Sequence, residues 1–131
     1  MRILIAEDDM ISRKFLQKFL STYGDCDLTI DGIESVDAFL MAHEESRPYD
    51  LVCLDIMMPK LDGLRVLKIM REFEGEKGIE EDKRVKIIMT TALIEQQTIN
   101  QCISLGCNTY ITKPIDTNEL INIMKDIKLV I

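Results

Sequence analysis

Carboxylates follow two apolar runs of this 131-residue chain. They are Glu7, Asp8, Asp9 and Asp55. The first three come directly after the apolar run 2–6, and Asp55 comes directly after the apolar run 51–54. Short apolar runs of this kind are typical of buried parallel strands. Because open α/β sheets bind ligands at the carboxyl ends of their strands, the pattern predicts an acidic site at that edge of a sheet.

Acids gathered in this way call for a cation. At a separation of about 5 Å and an effective dielectric constant of about 20, each pair of carboxylates repels by about 3 kcal/mol. Helix capping accounts for Asp8 or Asp9 but not for the whole cluster, and Asp55 is followed by Pro59 rather than by an immediate helix. Oxygen ligands in a small, partly open site suit Mg²⁺, which commonly binds carboxylates together with a phosphate oxygen. The acids therefore predict phosphoryl-transfer chemistry with Mg²⁺ or Mn²⁺.

Two more side chains are expected at the same edge. Lys113 ends the fifth predicted strand and precedes Pro114, so its ammonium would point toward the acids; a surface lysine in a turn is the alternative. Thr91 ends the fourth predicted strand. Its hydroxyl would either cap the following helix or reach a phosphoryl group on Asp55. Together these positions assemble one reaction centre from the ends of several strands.

The elements that position these residues alternate along the chain. Apolar periodicity predicts strands at about 2–6, 27–30, 51–54, 85–89 and 109–112, and helices at about 11–23, 33–45, 63–73, around 99–105, and from Asp116 or Thr117 to Lys128. Right-handed crossovers give a flavodoxin-like (βα)5 fold, a doubly wound parallel sheet of strand order 2-1-3-4-5. In this order strands one and three are neighbours, which brings Glu7 and Asp8 beside Asp55.

Three local expectations follow from the same patterns. The stripe Ile11, Phe15, Leu16, Phe19 and Leu20 predicts the buried face of the first helix. Gly24 is placed as the left-handed stop of that helix, and Gly106 ends the fourth helix. The charged stretch 74–83 is expected to be a solvated connector or an extended helix end.

Composition limits the classes of protein. A chain of 131 residues with 47% hydrophobic residues fits a single domain spanning 1–131. The net charge of −7 argues against direct nucleic-acid binding. No apolar run is long enough to span a bilayer, and the start suits no signal peptide, so we expect no membrane contact and a cytoplasmic location. Four cysteines without a Cys-x-x-Cys pair, beside the single His43, favour reduced thiols over a zinc site.

An ordered set of motifs now points to one family. The motifs are Glu7-Asp8, Asp55 with Met58-Pro59 and Asp62-Gly63, Thr91-Ala92, and Tyr110 to Lys113-Pro114. Through them essentially the whole chain resembles the response-regulator receiver domain of two-component signalling. The resemblance implies that Asp55 is phosphorylated by a histidine kinase or a phosphotransfer protein. It also implies a metal held by Asp8, Asp55 and the backbone carbonyl of Met57, with Glu7 acting through a bound water.

The resemblance further implies a switch. Thr91 would move to hydrogen-bond the phosphoryl group, and Tyr110 would turn inward as it does so. This movement reshapes the face made by helix four, strand five and helix five, where an unknown downstream protein would dock; homodimerisation on phosphorylation is left open. The peptide bond before Pro114 is expected to be cis.

Particular residues distinguish between the possible domain organisations and functions of the chain. The last helix ends close to residue 131, so we expect a stand-alone, chemotaxis-regulator-like receiver, with a receiver excised from a larger regulator or hybrid kinase as the alternative. A small Mg²⁺-dependent phosphatase would need a second acid where Met57 stands, and a flavin carrier would place its phosphate against Glu7. We therefore expect a phosphorylatable switch rather than an enzyme. Leu93, close behind Thr91, would affect dephosphorylation in an undetermined direction.

Overall fold

A computed structural model describes residues 1–92 and 95–130, so Leu93 lies outside the described residues. The strands are β1 (Arg2–Ala6), β2 (Asp25–Thr29), β3 (Leu51–Asp55), β4 (Lys86–Thr91) and β5 (Thr109–Thr112). The helices are α1 (Met10–Leu20), α2 (Gly32–Glu44), α3 (Gly63–Glu76), α4 (Gln96–Ser104) and α5 (Thr117–Asp126). A short 3-10 helix (Glu81–Lys83) precedes β4. Strands and helices alternate, as the apolar periodicity predicted.

The strands form one parallel sheet in the order β2-β1-β3-β4-β5, which confirms the predicted fold. β1 lies in the middle of the first three strands, with Ala6 opposite Thr29 on one side and Leu54 on the other. β3 pairs with β4 so that Asp55 lies opposite Thr90. The carboxyl ends of β1, β3 and β4 therefore meet at one edge, where the acids were predicted.

The core lies on both faces of the sheet. Leu4, Val52 and Ile87 point to the face covered by α2, α3 and α4, where they pack with Phe39, Val66 and Cys102. Ile3, Ile5 and Ile88 point to the opposite face, where they pack with Leu16 of α1 and Leu120 of α5. Because side chains alternate along a strand, an unbroken apolar strand supplies both layers at once. The apolar runs of the sequence are continuous because each of these strands packs against a core layer on both faces.

The first helix differs from its prediction at both its face and its end. Leu16 and Leu20 are fully buried, but Ile11 is 77% exposed and Phe15 is 41% exposed, so only part of the expected stripe reaches the core. The helix ends at Leu20, and Gly24 is not in the left-handed region, so its assignment as a left-handed stop was wrong. Gly24 is instead needed because a Cβ there would lie 2.1 Å from the carbonyl oxygen of Met1.

Glu74 is the clearest correction in the 74–83 stretch. Helix α3 continues to Glu76, which confirms the alternative of an extended helix end for 74–76, but Glu74 is buried rather than solvated. Its carboxylate lies 2.6 Å from Nη1 of Arg71 and accepts the backbone N–H of Val85 at 2.8 Å. Arg71 also donates to the carbonyl of Gly106. Glu74 therefore joins α3 to the start of β4.

Aspartates begin four of the described helices. Asp9, Asp31, Asp62 and Asp116 each accept a backbone N–H of the first helical turn. Such caps satisfy donors that have no partner within the helix. Asp116, rather than Thr117, is thus the cap of α5. No helix within residues 1–92 and 95–130 combines the length and the apolarity that crossing a membrane requires.

Several element ends are shifted from their predictions. β2 begins at Asp25, because that residue pairs with Arg2 of β1, and it ends at Thr29 instead of residue 30. α5 ends at Asp126, and Lys128, the predicted end, adopts a positive φ of 64° that no helix continues. Gly106, with φ of 100°, does have the left-handed conformation expected after α4.

Candidate functional site

The acids that follow β1 and β3 converge as expected. Glu7, Asp8 and Asp55 each offer a carboxylate oxygen, and these oxygens all lie within 4.8 Å of one another. Asp9 has a different task, because its carboxylate accepts the backbone N–H of Ser12 at 2.9 Å and begins α1. Capping therefore explains one of the four acids, and a shared site holds the other three.

The strands and the next helix fix the position of Asp55. It is the last residue of β3, and the loop after it is held to the sheet by Ile56, whose N–H donates to the carbonyl of Thr90 at 3.1 Å. Gly63 begins α3 directly behind it. A Cβ on Gly63 would lie 2.2 Å from the carbonyl oxygen of Asp55, so only glycine allows this approach.

Lys113 brings a positive charge to the cluster. Its ammonium lies 3.4 Å from Oδ2 of Asp55 and contacts Oε1 of Glu7. The backbone N–H of Lys113 donates to the carbonyl of Thr91 at 2.8 Å, which ties the end of β5 to the end of β4. The bond between Lys113 and Pro114 is cis, as predicted. The alternative of a surface lysine in a turn is thus wrong.

The remaining predicted residues surround this centre. Thr91 is buried at the end of β4, one residue beyond the pairing of Thr90 with Asp55. Met57 lies in the loop after β3, where its side chain is exposed and its N–H donates to Oδ1 of Asp55 at 3.3 Å. Tyr110 is half-buried in β5 and packs against the core layer under α2, α3 and α4.

Burial and crowding change the ionisation of the site. Removal from water, with the nearby Glu7 carboxylate, raises the pKa of Asp55 to about 8, although Lys113 and the N–H of Met57 act in the opposite direction. Burial lowers the pKa of Lys113, but contacts with Glu7 and Asp55 outweigh it, so the pKa is raised. Without a further cation, the Asp55 carboxyl group is therefore largely protonated at neutral pH.

The residues fit a divalent cation. Oε1 of Glu7 is buried, and the Lys113 ammonium is the cation that contacts it among the described residues. Asp8 is exposed, and its carboxylate makes no hydrogen bond or ion pair within residues 1–92 and 95–130. Hard oxygen donors with spare lone pairs, open to solvent on one side, match the coordination that Mg²⁺ prefers.

One residue of the site was missed by the sequence analysis. Arg13, in the first turns of α1, reaches back to the loop that carries the acids and donates to its backbone carbonyls. Its place four residues after the cap Asp9, on a helix that starts at the acids, was a signal for this contact. An arginine on a helix surface has many other uses, so the signal was weak.

Comparison with known proteins gives one consistent family. The family model of the response regulator receiver domain matches residues 3–125. A chemotaxis protein CheY of Treponema pallidum (strain Nichols) is 31% identical over 122 residues, which cover 92% of this chain and 77% of that protein. Hybrid signal transduction histidine kinase M of Dictyostelium discoideum is 32% identical over 124 residues, which cover 94% of this chain but 5% of the kinase.

Solved structures agree with the sequence relatives. A CheX-CheY-BeF3-Mg²⁺ complex from Borrelia burgdorferi contains a chain with a TM-score of 0.82 and 29% identity, covering 100% of this chain and 90% of the other. The complex of the Saccharomyces cerevisiae histidine phosphotransfer protein Ypd1 with the Ssk1 receiver domain gives a TM-score of 0.81 and 27% identity, covering 95% and 87% of the two chains.

Proposed function

Because this chain belongs to the response regulator receiver domain family of two-component and phosphorelay signalling, we propose that Asp55 accepts a phosphoryl group from a histidine kinase or a phosphotransfer protein. One observation carries the proposal. The Asp55 carboxylate is buried at the carboxyl end of the sheet, with Glu7 and Asp8 on one side and the Lys113 ammonium 3.4 Å away. Such a site can neutralise the charge of an incoming phosphoryl group.

The chemistry rests on a carboxylate nucleophile. An oxygen of Asp55 forms a bond to phosphorus while the bond from phosphorus to the donor histidine nitrogen breaks, and the bonding electron pair stays with the imidazole. Lys113 balances the negative charge that gathers on the phosphoryl oxygens. Asp8, Asp55 and the carbonyl of Met57 would hold Mg²⁺, with Glu7 acting through a bound water. Bound Mg²⁺ supplies the positive charge that draws phosphoryl oxygens toward Asp55.

The surface beside the site suits a protein donor. Ile11 and Phe15 of α1, both exposed, line a shallow groove of about 230 Å³ together with Lys113, Pro114 and Ile115. Apolar side chains left in water next to a phosphorylation site are typical of a protein docking surface. The solved complex of Ypd1 with the Ssk1 receiver domain supports a donor of the phosphotransfer class.

Thr91 and Tyr110 are the proposed switch. Phosphorylation adds strong acceptor oxygens beside the end of β4, and the Thr91 hydroxyl would donate to one of them. Tyr110, half-buried on the neighbouring strand, would then pack further inward and reshape the face of α4, β5 and α5 for a downstream protein. The phosphoryl group shifts an equilibrium between two existing arrangements.

We do not propose that this protein catalyses hydrolysis of a separate phosphorylated substrate. A small Mg²⁺-dependent phosphatase that acts through an aspartyl phosphate would need a general acid two residues after the nucleophile. That position is occupied by Met57, whose exposed thioether carries no transferable proton. We therefore propose a signalling switch that assists its own phosphorylation and dephosphorylation.

The test is intact mass after incubation with acetyl phosphate, with and without Mg²⁺. We expect a gain of one phosphoryl group that requires Mg²⁺, occurs in the wild type and in the exposed-site control Asp37→Asn, and is absent in Asp55→Asn. The control removes the same charge from an exposed position of α2. A gain that persists in Asp55→Asn, or no gain in the wild type, would contradict the proposal.

A further inference from the structure

Arg13 contacts the backbone of the loop that carries the acids. Its Nη1 donates to the carbonyl of Glu7 at 3.0 Å and to the carbonyl of Asp8 at 3.2 Å. Both carbonyls lie beyond Ala6, the last residue of β1, so the strand ladder no longer holds them. One guanidinium nitrogen therefore fixes two consecutive peptide groups at the exit of the strand.

This loop has little else to hold it at Asp8. Asp9 is anchored at both sides, because its N–H donates to Glu7 and its carboxylate caps α1. The side chain of Asp8, by contrast, makes no hydrogen bond or ion pair to any residue that the structure describes. The direction of its carboxylate is therefore set by the conformation of its own backbone. The Glu7 carboxylate holds the N–H side of the peptide between Asp8 and Asp9, and Arg13 holds its carbonyl side and the Glu7 carbonyl before it.

We propose that Arg13 is a positioning residue for the cation site: by holding the Glu7 and Asp8 carbonyls, it keeps the Asp8 carboxylate directed toward Asp55. This inference deepens the proposed function and rests on it, since it assumes that Mg²⁺ binds among these acids. Arg13 touches backbone oxygens, and the acids, not Arg13, would contact the metal. Its contribution lies in the geometry that the site has before the metal arrives.

Charge and positioning predict opposite effects, which makes the inference testable. Removing a positive charge near a cation site strengthens the binding of Mg²⁺ by Coulomb's law. Removing a group that holds the ligands in place weakens it. Lys14, the exposed neighbour of Arg13 on α1, provides the control for charge, because Lys14→Gln changes the net charge equally and loses no hydrogen bond or ion pair to the acid loop within the described residues.

The experiment is calorimetric titration of the unphosphorylated chain with MgCl2. For Arg13→Gln we expect the Kd for Mg²⁺ to rise by about tenfold, at the low end for groups that orient metal ligands. Lys14→Gln is expected to leave the Kd unchanged or to lower it. Arg13→Lys should recover part of the affinity, because an ammonium still donates to carbonyls. If Arg13→Gln does not fold, Arg13→Met, which keeps the apolar stem, replaces it with the same expected Kd.

The outcomes separate the two proposals. A wild-type Kd in Arg13→Gln, or the same loss in Lys14→Gln, overturns the positioning role and leaves phosphorylation of Asp55 untouched. An Arg13→Gln protein that is less stable in EDTA but binds Mg²⁺ normally also overturns it, because that result describes a purely structural arginine. No Mg²⁺ binding by the wild type would overturn both the inference and the proposed function.

Discussion

Asp55 is an acid whose ionisation the fold opposes. Burial and the Glu7 carboxylate raise its pKa to about 8 from the ordinary value of 3.8 for an aspartate. At pH values between about 4 and about 8, Asp55 keeps a proton in the folded state that it releases in the unfolded chain. The metal-free protein therefore loses stability as the pH rises from about 4 to about 8. This direction is the reverse of the usual one for a carboxylate, whose pKa folding tends to lower.

Asp55→Asn is expected to stabilise the metal-free protein. The amide removes the repulsion with Glu7, and the free energy of unfolding should rise by about 1 to 2 kcal/mol, the usual gain when a strained functional residue is replaced. The gain should be larger at pH 8 than at pH 5, because only the ionised acid is destabilised. Urea unfolding in EDTA at both pH values measures it. An equal gain at the two pH values would show that repulsion is not the cause.

At the scale of elements, α3 contains two glycines with opposite roles. Gly63 lies against the backbone of Asp55 and Ile56, whereas a Cβ on Gly75 would meet nothing within 4 Å. The first glycine is required by close packing. The second lies near the end of the helix and only adds conformational entropy to the unfolded chain.

Alanine substitutions separate these two glycines. Gly63→Ala is expected to lower the free energy of unfolding by about 1 to 3 kcal/mol, because the methyl group must displace the backbone of Asp55 and Ile56. Gly75→Ala is expected to raise it by about 0.5 to 1 kcal/mol. Thermal or urea unfolding of the two variants provides the comparison. Two changes of the same sign would contradict the assignment.

Glu74 holds the carboxyl-terminal part of α3 to the start of β4. Glu74→Ala leaves Arg71 without its anionic partner and the Val85 N–H without an acceptor, so we expect a loss of about 3 kcal/mol in the free energy of unfolding. Glu76→Ala, at an exposed position of the same helix, should change it by less than about 0.5 kcal/mol. Urea unfolding decides, and equal effects of the two substitutions would show that the buried pair does not stabilise the fold.

The sequence predicted the sheet because its signal is local. A strand buried on both faces must be largely apolar, and β1 and β3 are, except for Arg2 at the start of β1 and Asp55 at the end of β3. The acids that follow them were therefore placed correctly. The burial of Glu74 was not predicted, because its i−3 neighbour Arg71 would form the same ion pair on an exposed helix face. Its other partner, the N–H of Val85, lies eleven residues away, and nothing near Glu74 in sequence reveals it. Contacts of this kind depend on how α3 meets β4, which periodicity does not report.

The same limit applies to Gly24 and Arg13. A glycine after a helix is most often a left-handed stop, but Gly24 is required by the approach of Met1 across the sheet. Arg13 was overlooked because its contacts run to backbone atoms, which carry no residue identity that a motif could record. The candidate site was thus predictable in its side chains and unpredictable in the groups that hold them.

At the scale of the whole molecule, the fold concentrates acid in a chain whose net charge is −7. If the acids gathered at one edge of the sheet bind Mg²⁺ as proposed, the folded protein is a better ligand for the cation than the unfolded chain. Any ligand that binds only the folded state stabilises it by mass action.

Mg²⁺ should therefore stabilise the whole fold. At a concentration about 100 times its Kd, the gain in the free energy of unfolding is expected to be about 2.7 kcal/mol. Thermal unfolding of the wild type in MgCl2, compared with NaCl of equal ionic strength, measures the gain. Asp8→Asn should lose most of it, and Asp37→Asn should keep it. An equal effect of both salts would argue for general screening of charge instead of a specific site.

The two outer strands of the sheet affect whether chains associate through their strand edges at high concentration. β2 exposes Asp25 and Asp27, and β5, on the other side, has four residues. Exposed strand edges can recruit strands from other molecules, and charged side chains or short length discourage such pairing. Association by open-ended addition of strands is therefore disfavoured at both margins, and we expect contacts with other proteins to be made by side chains of the helices, the loops and β5 instead of by backbone pairing at a strand edge.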